Sequence, residues 1–360
     1  MPSELRVDKV SSTASPYDPV FSTTGGALSH RNMIINGAMQ VWQRSTDITC
    51  SDGSNENFNS VDRWQPNFNG GCPGTLDIDR STDTPDGFGY SMKLKCAGTG
   101  TPTGANQMSH WRYKFEAQDL QQLNYGSSSA KVTTFSWYMK SVNYTSPLSF
   151  LFIKGDNTGA YYVKAVSPTT SWARYTMTIP ANTNSGHGID NDNGEGMILN
   201  IMLSGTSGGT YERTGDSTAW GTSADYYTNT QGNFFSSTSN ELYLTGFQLE
   251  LGSVATPFEH RSFGEELARC QRYHCRGRGS TNDIEDASAP TVNFPVAMRT
   301  GPTCSISDYT NNSNKISRYA GNQANVASAA ASTDGIFLIQ HDAESANRVW
   351  FLQYVADAEL

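Results

Sequence analysis

The sequence predicts an all-β protein: a jelly-roll β-sandwich, then a short helix, then a smaller C-terminal β-sandwich domain. Three observations predict it. Roughly ten segments alternate apolar and polar residues, spaced about 8–20 residues apart, as the strands of a sandwich do. The text between them is turn chemistry: there are 33 Gly, with frequent Ser, Thr and Asn, and only 16 % of residues are charged, against the usual quarter. Helical periodicity is confined to one stretch, SFGEELARCQRYHCR. Aromatic residues make up 11 % of the 360, enough to fill real cores and too many for a disordered tail.

Residues 1–30 hold one short alternating stretch, ELRVDKV, followed by SSTASPYDPVFSTTGGALSH, which has turn chemistry and no core pattern. Such a segment gains order by lying on something else. The first packed body spans 31–261. It opens with NMIINGAMQVWQR, where Asn36-Gly37 is a tight-turn pair and AMQVW then resumes alternation as an expected strand. SVDRWQP centres on Trp64, and TLDIDR and YSMKLKCA alternate. In VTTFSWYMKS the face carrying Thr133, Phe135, Trp137 and Met139 is the better core candidate. LSFLFIKGD is an apolar run ending in a Gly-Asp turn, YYVKAV pairs naturally after it, WARYTMTIP alternates up to its proline, and MILNIMLSG follows. The last strand is YLTGFQLEL, with Tyr243, Phe247, Leu249 and Leu251 on one face and Leu244, Gln248 and Glu250 on the other. Gly252-Ser253 stops it, and Pro257 lacks the ladder donor needed to continue. A late strand of this kind closes a sandwich by pairing with an early one, here AMQVW, the long-range closure typical of jelly rolls. Trp42, Trp64, Trp137 and Trp350 sit on strand patterns and are assigned to cores.

Ser262 and Glu265 have capping-box spacing and begin the helix 262–276, along which Phe263, Leu267, Cys270 and Tyr273 form an apolar stripe. A helix this short is not stable alone, so either the sandwich covers the stripe or copies of the chain cover it for one another. GRGSTNDIEDASAP gives 277–289 the composition of a linker. Residues 290–360 read as a further β domain, with strands at TVNFPVAM, TCSISDY, KISRYA, GIFLIQHD and RVWFLQYVADAEL.

The formal charge is −9, and the most basic stretch is only CRGRG, so nucleic acid is not an expected partner. No apolar stretch reaches 18 residues, and the N-terminal text lacks the h-region of a secretory signal. Cys50, Cys72, Cys96, Cys270, Cys275 and Cys304 form no CxxC, which argues against zinc and for thiols of a protein folded in a cytoplasm.

Four segments in order, NMIINGAMQVWQR, VDRW, FSWYMKS and YLTGFQLELGSVATPFEHRSFGEELARCQRYH, resemble a family of tail-fibre and other virion structural proteins of tailed bacteriophages. The match is densest at Gln248, Leu249, Glu250, Gly252, Ala255, Thr256, Pro257, Phe258, Glu259, Arg261, Glu266, Leu267, Cys270, Gln271, Arg272 and Tyr273. FPVAMRTGPT and the terminal YVADAEL are similar to the β domain that often follows. The resemblance implies a carbohydrate-binding-like jelly roll, a homotrimer, and an N-terminal segment that meets other virion proteins, with Leu5, Val7 and Val10 as its contacts. It implies Phe263, Leu267, Cys270, Tyr273, Trp350 and Leu352 as the trimer interface. It supplies no catalytic residues. The function it implies is host-surface glycan recognition by a tail fibre, with capsid decoration or a fibre-adaptor role as the structural alternative and polysaccharide depolymerisation as the enzymatic one.

The residues themselves give modest chemistry. The six His residues show no HExxH spacing, no GxSxG occurs, and Glu259-His260-Arg261 reads as charges that satisfy groups at a corner. Asp77/Asp79, Asp190/Asp192 and Glu265/Glu266 are near carboxylate pairs, but nothing in the text puts any of them in a cleft. GIDNDNGEG, with Asp190, Asp192 and Glu195, echoes an oxygen-rich calcium loop, and an Asx-turn loop explains it equally well. For glycan stacking, Trp111, Tyr113, Tyr211, Trp220, Tyr226 and Tyr227 stand in polar, turn-rich text, although an aromatic is more often a core residue than a platform. The long polar stretch 206–240 has the makings of exposed recognition loops.

Overall fold

The computed structural model describes residues 30–51, 57–156, 159–284, 287–290, 292–317, 323–341 and 349–360. The expected virion-attachment residues Leu5, Val7 and Val10 lie outside them. The sandwich is built from β1 (Asp47–Cys50), β2 (Trp64–Asn69), β3 (Thr75–Ser81), β4 (Ser91–Gly98), β5 (Met108–Glu116), β6 (Thr133–Val142), β7 (Leu148–Lys154), β8 (Ala160–Val166), β9 (Ala173–Ile179), β10 (Glu195–Gly205), the short β11 (Glu212–Arg213) and β12 (Tyr227–Thr228), and β13 (Glu241–Leu251). A six-stranded sheet in the order β1-β3-β4-β13-β6-β9 faces a five-stranded sheet in the order β2-β5-β10-β7-β8. All pairings within these two sheets are antiparallel. This is the jelly-roll-like sandwich the alternation predicts. Inward residues of both sheets, among them Trp64, Phe135, Trp137, Met139, Phe150 and Phe152, form one continuous core.

The closing strand differs from expectation in an instructive way. β13 pairs with β4 and β6, in the middle of its sheet. AMQVW forms no strand; it is the preceding residues that meet β13, through the backbone bonds Met33 N to Leu249 O (2.9 Å) and Phe247 N to Gly37 O (3.0 Å). The register of β13 against β6 slips between Thr245 and Gln248 at Gly246, whose φ of 66° is left-handed. The extra residue reverses the parity. Leu242 and Leu244 face the core before the bulge and Phe247 and Leu249 after it, while Tyr243 turns outward beside Lys93 and Lys140.

The helix α1 (Phe263–Gln271) starts as predicted: the Ser262 hydroxyl accepts from Glu265 N at 3.2 Å. Beyond it come β14 (His274–Ile284), β15 (Ala287–Pro290), β16 (Val292–Asn293), β17 (Thr303–Ser307), β18 (Lys315–Ser317), β19 (Gln323–Ala331), β20 (Gly335–His341) and β21 (Val349–Asp357). They form one eight-stranded sheet in which β14 pairs with both β15 and β21, around a second core containing Val292, Ile316, Trp350 and Leu352. Residues 277–284, expected as linker, are therefore strand, paired with β21 from Gly277↔Tyr354 to Asn282↔Val349.

The helix stripe is covered by its own chain. Cys270 and Tyr273 are buried against Ile35 and Val41, with Leu267 and Leu360 packed beside them. Trp350 and Leu352 are buried in the C-terminal core. Of the six residues expected at a trimer interface, Cys270, Tyr273, Trp350 and Leu352 are thus interior to a single chain. Only Phe263 is left prominently outside, at 57 % exposure.

Around this joint the familiar sequence segments converge. Asn36 receives Gln40 N and Val41 N on its side-chain oxygen, and its backbone N–H donates to Glu266. Asp62 holds Gln43 and Arg44. Glu116, buried, takes two bonds from Arg272 and one from the Tyr273 hydroxyl at 2.6 Å. Arg63, wholly buried, lies 3.4 Å from the Tyr273 ring and pairs with Glu359 from the last residues of the chain. Arg299 and Lys114 bind the backbone oxygens of Ala358, Glu359 and Leu360. Glu259 and Arg261 likewise hold the 32–34 backbone, so the EHR cluster satisfies a corner.

Candidate functional site

The outward face of the five-stranded sheet is the most chemically loaded surface of the sandwich. In β5, Trp111, Tyr113 and Phe115 point into the core, so His110, Arg112 and Lys114 point out. In β10, Leu199 and Ile201 point in and Asn200 out. The register aligns Gln65, Arg112, Asn200 and Leu151 in one row across β2, β5, β10 and β7. Polar residues fill the β2–β5 half, and apolar ones (Ile198, Leu151, Ile153 and Val163) fill the β7–β8 half.

Residues 206–231 fold over that face. Tyr161 and Gly221 exchange backbone bonds of 2.8 and 3.0 Å, and Ser217 N donates to Val163 O, so this loop shields the open edge of β8. It lays two of its tyrosines in line with Tyr161 of β8: Tyr211 to Tyr226 at 5.0 Å and Tyr226 to Tyr161 at 5.8 Å between centroids. All three are half-buried. Tyr226 is close enough to Arg112 and Glu195 to interact electrostatically with both.

Arg112 is half-exposed, and burial pulls its pKa below the ordinary guanidinium value while Glu195 and Tyr226 oppose that. With its amide turned to satisfy both neighbours, Gln65 accepts from Arg112 Nε and Nη2. His110 Nδ1 and Asn200 Oδ1 have no hydrogen-bond partner among the described residues, and both side chains are buried out of a ligand's reach, at 3 % and 2 % exposure. Burial first, and the Arg112 charge second, push the His110 pKa down to about 3, so the imidazole is neutral. The groups left in reach, the Arg112 guanidinium and the half-buried rings of Tyr161, Tyr211 and Tyr226, are of the kind that hold a polyhydroxylated ligand.

The expected stacking residues divide. Tyr211 and Tyr226 are brought together on this face. Tyr227 is buried on Met108 and Met202, its hydroxyl donating to Thr206 O at 2.9 Å. Trp220 lies apart, against Tyr125 and Tyr162, with Nε1 donating to Pro180 O. Trp111 and Tyr113 are fully buried, 0 % and 1 % exposed, and the Tyr113 hydroxyl accepts from Ile35 N. These two are core residues, because a ring with no accessible face cannot stack on a ligand. Arg112 and Tyr161 are the accessible members of this face that the sequence reading does not single out; the alternation W-x-Y-x-F in 111–115 is the signal that β5 is a strand and that its even positions face outward.

The other candidates settle differently. Asp77 and Asp79 lie on the outer face of the six-stranded sheet opposite Lys95 and Lys93, and the Thr49 hydroxyl donates to Asp77. Glu265 pairs with Arg269 on the helix surface, and the buried Glu266 with Arg261. Asp192 forms an Asx turn with Gly194 N at 2.9 Å, and Glu195 pairs with Lys114. Among the described residues no group of three or more His, Cys, Asp and Glu is arranged to hold a metal ion, and this includes the calcium-like loop. No helix of the described residues is long and apolar enough to cross a membrane. A cleft of about 720 Å³ opens beside the joint, lined by Arg44, Phe58, His274, Arg276, Val355 and Asp357 among others.

No protein-family model and no curated protein matches the sequence. Solved structures give distant likenesses. One is a putative sugar binding protein from Bacteroides thetaiotaomicron, 9 % identical over 62 % of this chain and 100 % of that one, with a TM-score of 0.33. Another is the CBM22-1 xylan-binding domain from Paenibacillus barcinonensis, 14 % identical over 58 % of this chain and 95 % of that one, TM-score 0.28. A third is the enzymatically active domain of a tailspike protein of bacteriophage CBA120, 11 % identical over 61 % of this chain but 21 % of that one, TM-score 0.32. Scores this low carry nothing about binding or activity; the fold assignment rests on the sheets themselves.

Proposed function

We propose that this chain is a virion structural protein of a tailed bacteriophage, acting as a homotrimeric tail fibre that binds a host-surface glycan through the outer face of its five-stranded sheet. The observation that carries the binding role is the line of half-buried rings Tyr211, Tyr226 and Tyr161 with the half-exposed Arg112 close to Tyr226. The phage origin is supported by the sequence resemblance of the segments that build the joint. Trimerisation gives three such faces at once, and avidity converts weak contacts into firm attachment. Residues 1–30 then serve the virion.

A purely structural role is the second reading, favoured by a specific fact: the residues of the resemblance converge on the buried joint and not on the glycan face. Adsorption separates the two. Under the fibre reading, the full-length protein competes with intact phage for host cells, and antibody labels the tail. A protein that labels the capsid, and whose loss leaves adsorption intact, is a decoration. New reducing ends on host polysaccharide would instead make it a depolymerase.

A further inference from the structure

Three strands of the C-terminal sheet carry an open face that the sandwich site does not use. Cys275, Cys304, Ile306, Leu352 and Tyr354 belong to the second core, so the residues alternating with them point out. The register sets these in rows across β14, β21 and β17: Arg276, Val355 and Ser305 in one, Arg278, Gln353 and Ser307 in the next. Arg276, Arg278, Val355 and Ser305 are exposed, and Gln353 and Ser307 are half-buried, so a ligand has access to all of them. Beyond the second row stands the Tyr309 ring, 42 % exposed, with the Arg278 guanidinium 5.2 Å from its centroid and the Phe351 ring 5.8 Å away. At the other end the face runs into the cleft of about 720 Å³, whose lining includes Arg276 and Val355.

The two guanidiniums are uncommitted charge. Neither forms an ion pair or a hydrogen bond among the described residues. Asp357, in the row beyond Arg276, is already held by Arg44 Nη2 at 3.0 Å and His274 Nδ1 at 3.2 Å. On a chain of formal charge −9 the face is a local positive surface, and its complement is an anion. Arginines two apart on one strand face stand about 7 Å from each other. Each offers a fork that fits two oxygens of a carboxylate or a phosphate group.

The groups between and beside them restrict what carries those anions. Gln353 spends Nε2 on Asp308 O at 2.9 Å, and its Oε1 is left at the surface as an acceptor without a donor among the described residues. A hydroxyl supplies that donor, and an ionised carboxylate does not. The exposed Tyr309 ring is a platform for the apolar face of a sugar. Serines such as Ser305 are scarce in the core of a protein–protein interface, and two arginines are too few to hold a nucleic-acid backbone on a chain this acidic.

We propose that this face is a second binding site, for a saccharide bearing oxyanion groups: two of these sit on Arg276 and Arg278, hydroxyls meet Gln353 and Ser305, and one ring lies on Tyr309. The site shares no residue with the tyrosine face of the sandwich and is tested apart from it.

The test measures equilibrium binding of the full-length protein to oligogalacturonate and to phosphorylated maltooligosaccharide, each beside its neutral counterpart, carboxyl-reduced or dephosphorylated. The expected result is binding to an anionic member that falls about tenfold on neutralisation, the product of two solvent-exposed charge contacts of about threefold each. Which member binds identifies the anionic group as carboxylate or phosphate. Changing Arg276→Gln and Arg278→Gln together is expected to give the same loss, and Tyr226→Ala, on the sandwich face, to give none. Unfolding curves show whether the double variant keeps its fold; should it misfold, the matched pairs on the unaltered protein decide alone. Equal binding of charged and neutral members overturns the proposal, and so does charge-dependent binding that a well-folded arginine variant retains in full, or no binding to any member. Oligoglutamate bound as tightly as the saccharides overturns the saccharide assignment, because any polyanion then suffices.

Discussion

Glu359→Gln is the substitution with the largest consequence that can be worked from the structure. The Glu359 side chain is 5 % exposed and lies between Arg63, which has no exposure, and Arg44, which has 9 %. Arg44 keeps Asp62 and Asp357 if Glu359 is neutralised. Arg63 keeps Lys114 O at 2.7 Å and the faces of Tyr273 and Tyr113, with no other carboxylate in ion-pair reach among the described residues. Breaking a buried pair from one side costs about 3–5 kcal/mol, and because glutamine preserves shape and one hydrogen bond the lower end applies, about 3 kcal/mol. The urea midpoint reads this directly if the slope is unchanged. A double-mutant cycle with Arg63→Met is expected to return a coupling of about 1–3 kcal/mol. A Glu359→Gln protein within about 0.5 kcal/mol of the parent, the range of an ordinary surface change, would refute the view that the chain's last residues lock the sandwich to the C-terminal sheet.

Three further outcomes are expected. His110 titrates near pH 6.5 when unfolded but only at about 3 when folded, so stability is complete above 6.5 and falls as pH drops from there towards 3; His110→Asn should flatten that slope by up to about 1.4 kcal/mol per pH unit in urea titrations across the window. Gly246→Ala forces a left-handed alanine whose Cβ stands 2.7 Å from Tyr138 and 2.8 Å from Phe88, and should cost about 2 kcal/mol in urea unfolding. Phe263→Asp, at an exposed helix position, should leave secondary structure intact and, under the trimer reading, shift sedimentation from the proposed trimer to monomer.

Much of the sandwich was legible because burial on one face of a strand imposes a period of two on the text. The inward set Phe135, Trp137 and Met139, and the Ser262 cap, follow from spacing alone. The failures have physical causes. Gly246 inserts a bulge that reverses parity within YLTGFQLEL, and no periodicity rule sees an extra residue. β5 was hidden because Arg112 and Lys114, charged and outward, make its text look like loop. Gly277 made a strand read as a linker, although glycine is there because Tyr354 lies against it, with 2.7 Å from its hydroxyl to a Cβ if one were present. The helix stripe pointed to an interface, but an apolar stripe does not say whether its cover belongs to the same chain. The proposed glycan face was the least legible part, since its members Arg112, Tyr161, Tyr211 and Tyr226 come from separate stretches of the chain that only the fold brings together.

The central claim is that the outer face of the five-stranded sheet binds surface glycan. It is tested most directly by equilibrium binding of labelled full-length protein to host cells, before and after periodate oxidation of their vicinal diols. If the face binds glycan, binding is saturable, is lost on oxidation and is weakened about tenfold or more when Tyr226 is changed to alanine, as the loss of a well-placed aromatic anchor does. Binding that survives both treatments, or no binding by a well-folded trimer, would contradict it and return the sandwich to the role of scaffold.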